Sequence, residues 1–570
     1  MNILTNFDKT LLKKGQIVKW FCLFVFLSLV LSCGVSKSLH DVPDVSKYNP
    51  VIPERVKLSD STYVSGHNFL TKNRQGLWEL YVEGNPFEIG MQTGSLTQEL
   101  FKKQEHVFLS KVNEFVPSKT KQFFLRKILA WYNRKMYSHI TDEYKTEIYG
   151  LSKYASQDYN HIASNYLRIL YLHGAHDIGH AFQDLALVGC TSFAAWGDKT
   201  EDGSLIIGRN FDFYAGDDFA KDKIIAFVNP AEGHKFMSVT WGGMIGVVSG
   251  MNEHGLTVTI NAGKSKIPLI AKTPISILTR EILQYASTID EAIAIAKKRQ
   301  VFVSESIFVG SAKDKRAITI EVSPKNFGVY EVSNTNQLIC SNHFQSKAYA
   351  EDENNTKHKA ESHSQYRYER MEELMQYHKK LTPNNAVDIL RNKEGLQDKQ
   401  IGYGNEKALN QLLAHHSIVF KPEQRLVWVS SNPYQLGEYV AYNLKDIFNN
   451  KTSSIPKGTW SDSRLNIEKD SFQYSKAFHD YETYRMLKHQ IEVTIKEKQS
   501  VEPSTLLAIQ KANPEYWESY YIVGAYYYKK KYYRAALNAF LKANTKEITT
   551  IPDKRNIDAY IKKLKKKLAQ

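Results

Sequence analysis

Cysteine is scarce in this chain, with four in 570 residues. That number is too small for a disulfide-built scaffold, and no Cys-x-x-Cys pair suggests structural zinc. A glycine-rich phosphate loop is also missing, so nothing points to a nucleotide cradle. Wholesale disorder is excluded, because apolar residues make up 42% and the 30 glycines bring the total close to the globular share of roughly 45–50%. The basic surplus is +15, from 75 Lys and Arg against 60 Asp and Glu. It is spread over the chain and reads as solubility, so no nucleic-acid partner is expected.

The N-terminus carries Lys13, Lys14 and Lys19 ahead of an apolar run from Phe21 to Leu31. That run is far short of the roughly 20 residues needed to cross a bilayer, and it reads as a signal-peptide core behind a positive flank. Val30-Leu31-Ser32-Cys33 resembles a bacterial lipobox, in which the cut falls before the cysteine and the thiol receives lipid. Residues 1–32 are therefore expected as a lipoprotein signal and Cys33 as a membrane anchor, placing the protein in a bacterial cell envelope. Cys22 leaves with the signal. The exported body keeps only Cys190 and Cys340, which could form one disulfide in an oxidising compartment.

A polar, proline-containing stretch suggests a tether over 33–70, followed by a helix-rich segment over 71–189 with apolar residues every three or four positions. After Cys190 the texture changes to short β-branched and aromatic runs bounded by turns. Strands are expected at 191–196, 205–209, 224–228, 236–241, 246–248 and 256–261, then helices at 275–286 and 289–298. Further strands at 307–309, 317–322, 328–332 and 337–341 precede a charged helix at 365–381 and strands at 417–421 and 425–430. Strands, helices, then strands imply an α+β fold, with a catalytic unit over 190–455 and a linker or helix over 456–499. The remainder, 500–570, carries Tyr520, Val523, Gly524, Tyr527, Ala536, Phe540 and Ala543 at the small/large spacing of a tetratricopeptide repeat. Such a tail docks on a neighbour, or binds a protein partner. Lys562, Lys563, Lys565, Lys566 and Lys567 read as a solvated helix face.

Gly189-Cys190-Thr191 stands where helical texture gives way to the first strand. A thiol has a pKa near 8.5 and needs a base or a positive neighbour to act as nucleophile. The Asp202-Gly203 turn signal folds 191–209 into a hairpin that returns the chain to Cys190 at about Arg209-Asn210-Phe211-Asp212. Residues three apart point to opposite faces of an unbroken strand. Both Arg209 and Asp212 can reach the thiol only if a bulge or a strand end separates them.

These residues resemble the cysteine N-terminal-nucleophile (Ntn) hydrolases. The resemblance rests on Gly189-Cys190-Thr191, the Arg209 to Asp212 run, Asn252-Glu253-His254-Gly255-Leu256 leading to Asn261, and Ser341-Asn342-His343. Within that class the pattern is similar to the autoproteolytic acyltransferase/hydrolase group of penicillin-side-chain acyltransferase, related to acid ceramidase and the choloylglycine hydrolases. It extends over about Leu80 to Ser431 and includes Gly84-Asn85-Pro86 before a helix. The resemblance implies a four-layer αββα sandwich, no cofactor or metal, and a small N-acyl amide substrate. It also implies that Cys190 becomes a chain terminus by self-cleavage after Gly189, because its own amine, with pKa near 7.7–8.0, takes the thiol proton. By the same match Arg209 stabilises thiolate and Asp212 orients the amine. Asn261 donates to the oxyanion, Asn342 lies near the amine, and Arg367 aligns with a late family arginine.

Three other readings fit parts of the sequence. His176-Asp177-Ile178-Gly179-His180 puts two imidazoles one helical turn apart, as in a zinc hydrolase, though with no third ligand. His254 or His343 could serve a papain-like Cys–His pair. A catalytically inactive lipoprotein scaffold that binds a partner through its tail is the alternative from another class.

Overall fold

Residues 56–84, expected as tether and the start of a helical segment, form strands instead. They are β1 (Val56–Ser59), β2 (Thr62–Ser65), β3 (Asn68–Lys72) and β4 (Trp78–Gly84). The computed structural model describes residues 34–48, 51, 54–174, 177, 189–214, 216–264, 270–449 and 458–569. The signal segment, Cys22, Cys33, His176 and His180 lie outside the described residues. Buried on both faces, β4 sends Trp78, Leu80 and Val82 into one core and Tyr81 into another. Its sequence alternates Trp78, Leu80 and Val82 with Glu79, Tyr81 and Glu83, a period-two signal that the helical reading of this stretch passes over.

Helices Pro86–Leu96, Gln98–Phe115, Lys119–Asn133, Asp142–Ser152 and Asn165–His173 follow, as the three-to-four spacing predicts. The first begins at a capping box in which Asn85 accepts from the Glu88 amide and Glu88 reaches back, with Pro86 just inside the helix.

Beyond Gly189 the two short strands nearest the nucleophile pair as the turn signal requires. β5 (Thr191–Ala195) and β6 (Ile206–Phe211) run antiparallel, with Thr191 opposite Asn210 and Ser192 opposite Arg209. β7 (Ile224–Pro230), β8 (Phe236–Thr240), β9 (Ser249–Asn252), β10 (Leu256–Ala262), β11 (Glu305–Ser311), β12 (Arg316–Val322) and β13 (Phe327–Tyr330) continue the chain. β14 (Gln337–Cys340), β15 (His416–Lys421), β16 (Leu426–Ser430) and β17 (Tyr439–Asn443) complete it. The strand expected at Gly246–Val248 lies at β9 instead, and the Ile245 amide is held outside the sheet on His173 Nε2 at 3.0 Å.

An 11-stranded sheet has the order β1-β2-β3-β4-β7-β8-β9-β10-β11-β12-β13, and a 6-stranded sheet the order β14-β5-β6-β15-β16-β17. Pairing is antiparallel except between β4 and β7, which run parallel over seven residue pairs from Trp78↔Ile224 to Gly84↔Pro230. One core lies between the sheets, where Ile207, Ile418 and Val429 meet Phe227, Met237 and Phe308. Helices Ile275–Tyr285 and Ile289–Lys298 cover the other face of the large sheet through Leu278, Ile282 and Ala292. Helices Ser364–Tyr377 and Pro383–Leu390 cover that of the small sheet through Met371 and Val387. Each fully buried aliphatic side chain contributes about 1.5–3 kcal/mol.

The C-terminal region consists of helices Lys476–Lys496, Pro503–Ala512, Trp517–Lys529, Tyr533–Ala543 and Ile551–Leu568. Gly524 lets two of them approach, since a Cβ there would lie 3.0 Å from the Phe540 ring. Ile557, Ile561 and Leu564 of the last helix are buried, while its terminal lysines are exposed. Among the described residues no helix is long and apolar enough to cross a membrane.

Candidate active site

Cys190 follows Gly189 at the mouth of β5 and is 1% exposed. Cys190 and Cys340 are both free thiols and both buried, so the disulfide is not formed. Burial pushes the Cys190 thiol up to about 11, against the pull of Arg209 and with the push of Asp212 and Glu305. In the uncut chain the sulfur is therefore a protonated, weak nucleophile.

Arg209 reaches the thiol as the hairpin register predicts, with Nη2 donating to Sγ at 3.8 Å. The same nitrogen donates to the Ile260 carbonyl at 2.5 Å, and Nη1 donates to Ser249 Oγ at 2.7 Å. Its guanidinium carbon lies 4.2 Å from the centre of the Phe211 ring. Burial lowers the Arg209 pKa, while the thiol, Asp212 and Glu305 favour its charge. β6 ends at Phe211, so Asp212 lies beyond the strand and is free of its alternation. This is the strand end that the spacing demands.

Asp212 is completely buried, and among the described residues neither carboxylate oxygen has a hydrogen-bond partner. Burial raises its pKa to about 7, although Arg367 and Arg209 both pull it down. Gln435 lies beside it, close enough for its side chain to favour the ionised carboxylate, although the two do not meet in a well-formed hydrogen bond. The Asp212 backbone carbonyl accepts from the Gly189 amide at 3.2 Å, which fixes the strand end against the nucleophile's own peptide.

Arg367 ties the remaining residues together. Nη1 donates to the Cys190 carbonyl at 2.8 Å and to Thr191 Oγ1 at 2.6 Å, and Nη2 donates to Asn342 Oδ1 at 2.6 Å. Burial lowers its pKa to about 10, which leaves it charged near neutrality. Asn342 Nδ2 donates to the Ala262 carbonyl at 2.9 Å, and the Asn342 amide donates to Ser364 Oγ at 2.8 Å. Asn261, on β10, accepts from Ser192 Oγ at 2.8 Å through Oδ1. Its Nδ2 makes only a long contact of 3.4 Å to the Cys340 carbonyl. That leaves an amide donor loosely engaged near the start of β5. The sequence candidates Gly189, Cys190, Arg209, Asp212, Asn342 and Arg367 form one connected cluster. Asn261 joins it through Ser192, the residue facing Arg209.

Several contributors were not foreseen. Ser249 Oγ takes Arg209 on one side and His416 Nε2, at 2.9 Å, on the other. His416 Nδ1 is 2.9 Å from His415 Nδ1, and burial holds both imidazoles well below their usual pKa. With both rings neutral, the Ser249 hydroxyl oxygen accepts from Arg209 and bridges it to His416. Gln411 Nε2 donates to the Gly189 carbonyl at 2.9 Å. The His415-His416 pair in an apolar strand was the available signal for the first group. Gln411 had none, because it lies in an irregular loop.

The papain-like alternative is not favoured by this geometry. Among the described residues the Cys190 sulfur takes hydrogen bonds from Arg209 and the Asp212 backbone, and none from a histidine. His343 Nδ1 is 2.8 Å from Ser364 Oγ, with its pKa lowered to about 3 by burial. His254 lies at the β9–β10 turn with its ring 4.3 Å from that of His234, and Glu253 joins these two in a cluster whose ligand-type atoms lie within 4.8 Å of one another. Of the zinc-hydrolase motif, Asp177 is described. Its carboxylate accepts from the Ile275 amide at 2.7 Å, which caps helix Ile275–Tyr285.

Comparison with known proteins shows the following likenesses. A protein of Archaeoglobus fulgidus described as uncharacterized is 26% identical over 274 residues, a match spanning 45% of this chain and 45% of that protein. A solved Caenorhabditis elegans ortholog of N-acylethanolamine-hydrolyzing acid amidase is 18% identical with TM-score 0.30, over 41% of this chain and 93% of that one. A conjugated bile acid hydrolase from Clostridium perfringens is 14% identical with TM-score 0.31, over 47% of this chain and 95% of that one. Residues 199–433, which contain Arg209, Asp212, Asn261, Asn342 and Arg367, match the family model described as acyl-coenzyme A:6-aminopenicillanic acid acyl-transferase, so over this region the chain is similar to that family.

Proposed function

We propose that this protein is a self-processing, lipid-anchored amide hydrolase or acyltransferase of the N-terminal-nucleophile type. Its catalytic unit, a four-layer αββα sandwich, acts on a small N-acyl amide. The observation that carries the reading is the Asp212 carboxylate, buried, raised to about 7 and short of a well-formed hydrogen bond among the described residues, beside a buried cysteine that follows a glycine. An unpaired buried carboxylate is costly. Cleavage between Gly189 and Cys190 supplies what it lacks, because the amide nitrogen of Cys190 becomes an amine able to carry a proton and donate.

Cleavage begins with addition of the Cys190 sulfur to the Gly189 carbonyl carbon. The carbon–nitrogen bond breaks, and the thiol proton ends on the departing Cys190 nitrogen. Water then adds to the thioester, the carbon–sulfur bond breaks, and the products are a Gly189 carboxylate and a free N-terminal Cys190. In turnover the new amine takes the thiol proton while Asp212 orients it. Arg209 stabilises the thiolate, and Asn261 Nδ2 donates to the oxyanion of the substrate amide. The acyl group passes to sulfur, the amine product leaves with the proton, and water or an acceptor amine releases the acyl group.

Intact-mass analysis of wild type beside Cys190→Ala tests the reading. The expected result is two fragments for wild type, the second beginning at Cys190, and one chain for the variant. Fully active but uncut wild type would overturn it. Anchoring through Cys33 is tested separately, since Cys33→Ala should move the protein from the detergent-rich to the aqueous phase.

A further inference from the structure

Residues 401–412 form an irregular loop that contacts both the Gly189–Cys190 peptide and the C-terminal helices. At its far end Gln411, 1% exposed, donates from Nε2 to the Gly189 carbonyl at 2.9 Å. A carbonyl oxygen only accepts, so the amide nitrogen is fixed toward it. The side chain lies flat on the peptide. A Cβ at position 189 would sit 2.0 Å from Nε2 and 2.6 Å from Cδ of Gln411. A side chain at position 189 would therefore displace this amide.

The loop's shape is imposed by the tail helices. Tyr481 donates its hydroxyl to the Leu412 carbonyl at 3.2 Å, one residue from Gln411. Asn513 Nδ2 donates to the Tyr403 carbonyl at 2.7 Å, and its Oδ1 accepts the Tyr403 amide at 3.2 Å. Asn405 donates to the Glu547 carbonyl at 2.9 Å, while Lys407 pairs with the Glu547 carboxylate at 2.6 Å. Two glycines admit this contact. At Gly402 and Gly404 φ is +83°, and Cβ atoms there would lie 2.4 Å from Tyr516 and 2.8 Å from Tyr481. On the catalytic side, Asn210 holds the Leu409 carbonyl at 2.9 Å.

We infer that Gln411 is a catalytic residue of the self-cleavage step, and that the C-terminal helices act as an intramolecular clamp that holds it there. The inference rests on the self-cleavage reading. When sulfur adds to the Gly189 carbonyl, the oxygen gains negative charge and the Gln411 hydrogen bond strengthens without proton transfer. Such a donor, placed before the reaction, needs no reorganisation at the moment of attack. Tyr481, Asn513 and Glu547 are positioning residues that act through the loop.

The test follows processing by intact mass from the moment of synthesis, for full-length wild type, Gln411→Leu and Tyr481→Phe. Thermal unfolding of each substitution in the uncut Cys190→Ala background provides the folding control. Gln411→Leu is expected to slow cleavage by about 10²–10³-fold with an unfolding midpoint close to that of Cys190→Ala. Tyr481→Phe, a change of one hydroxyl, is expected to slow it about two- to tenfold. If Gln411→Leu does not fold, Gln411→Glu, which keeps the shape and replaces the donor by an acceptor, takes its place with the same expectation. Wild type that cleaves beside Gln411 variants that cleave equally fast overturns the inference alone. An unchanged rate in Tyr481→Phe overturns the clamp, and wild type that never cleaves overturns both this inference and the reading beneath it.

Discussion

The carbonyl oxygen of Cys190 accepts a hydrogen bond from Arg367 Nη1 at 2.8 Å, while Nη2 of the same guanidinium holds Asn342 Oδ1 at 2.6 Å. One planar fork thus connects the nucleophile's own peptide to β14's exit, and it does so fully buried. Lysine offers a point charge in place of a fork. Arg367→Lys should therefore lower both cleavage and turnover by about 10²-fold, as expected when a buried charged donor set is broken. Arg367→Met should in addition destabilise the uncut chain by about 3–5 kcal/mol, measured by urea unfolding in the Cys190→Ala background.

Asp212 gives a pH signature. Burial raises its folded pKa to about 7, well above the ordinary carboxylate range, so between that range and 7 the folded state holds the proton more tightly than the unfolded state does. Stability contributed by this group is accordingly present at low pH and is lost as pH rises toward 7. Unfolding free energies of Cys190→Ala and Cys190→Ala/Asp212→Asn, measured from pH 4 to pH 8, should differ by a quantity that changes across this window and levels off above it. A constant difference would count against a buried, protonatable Asp212.

Gly189→Ala places a methyl group where Gln411 lies, 2.0 Å from Nε2. The Gln411 amide must swing away from the Gly189 carbonyl, or the loop must shift, at a cost of up to about 1–3 kcal/mol. Slower cleavage is the expected outcome, together with a lower unfolding midpoint in the Cys190→Ala background. Equal stability and equal cleavage would show that the contact is not tight.

Glu147 and Arg280 form a buried pair at 3.2 Å, with Glu147 on the segment before Cys190 and Arg280 on helix Ile275–Tyr285. Removing one partner leaves a buried charge, so Arg280→Met should cost about 3–5 kcal/mol. Glu147→Leu together with Arg280→Met should recover most of that loss. Denaturant unfolding of the single and double variants measures the coupling.

The hairpin around Asp202-Gly203 was legible because a turn signal between two β-branched runs fixes register locally, and register alone carries Arg209 to Cys190. The need for a strand end before Asp212 followed from side-chain alternation, and β6 stops at Phe211. Asn342 and Arg367 came from motif order, since nothing local says that residues so far from Cys190 in sequence will meet it. What stayed hidden was long-range or irregular. β4 is an exception, since it alternates Trp78, Leu80 and Val82 with Glu79, Tyr81 and Glu83, a strand signal that the helical reading of 71–189 passes over. β17 and helix Pro383–Leu390 are short and were not expected. Ser249, His416 and Gln411 act through contacts between segments that no periodicity links.

The parallel seam of β4 with β7 joins residues on opposite sides of the Gly189–Cys190 bond. A cut there leaves four strands of an eleven-stranded sheet on one polypeptide and seven on the other. On the self-cleavage reading, this seam would hold the two halves together. Regaining that sheet after denaturation would then require two molecules to find each other, a second-order event that dilution slows. Maturation by this route is a ratchet: the nascent polypeptide folds alone at a rate independent of concentration, and once trimmed it has surrendered that option.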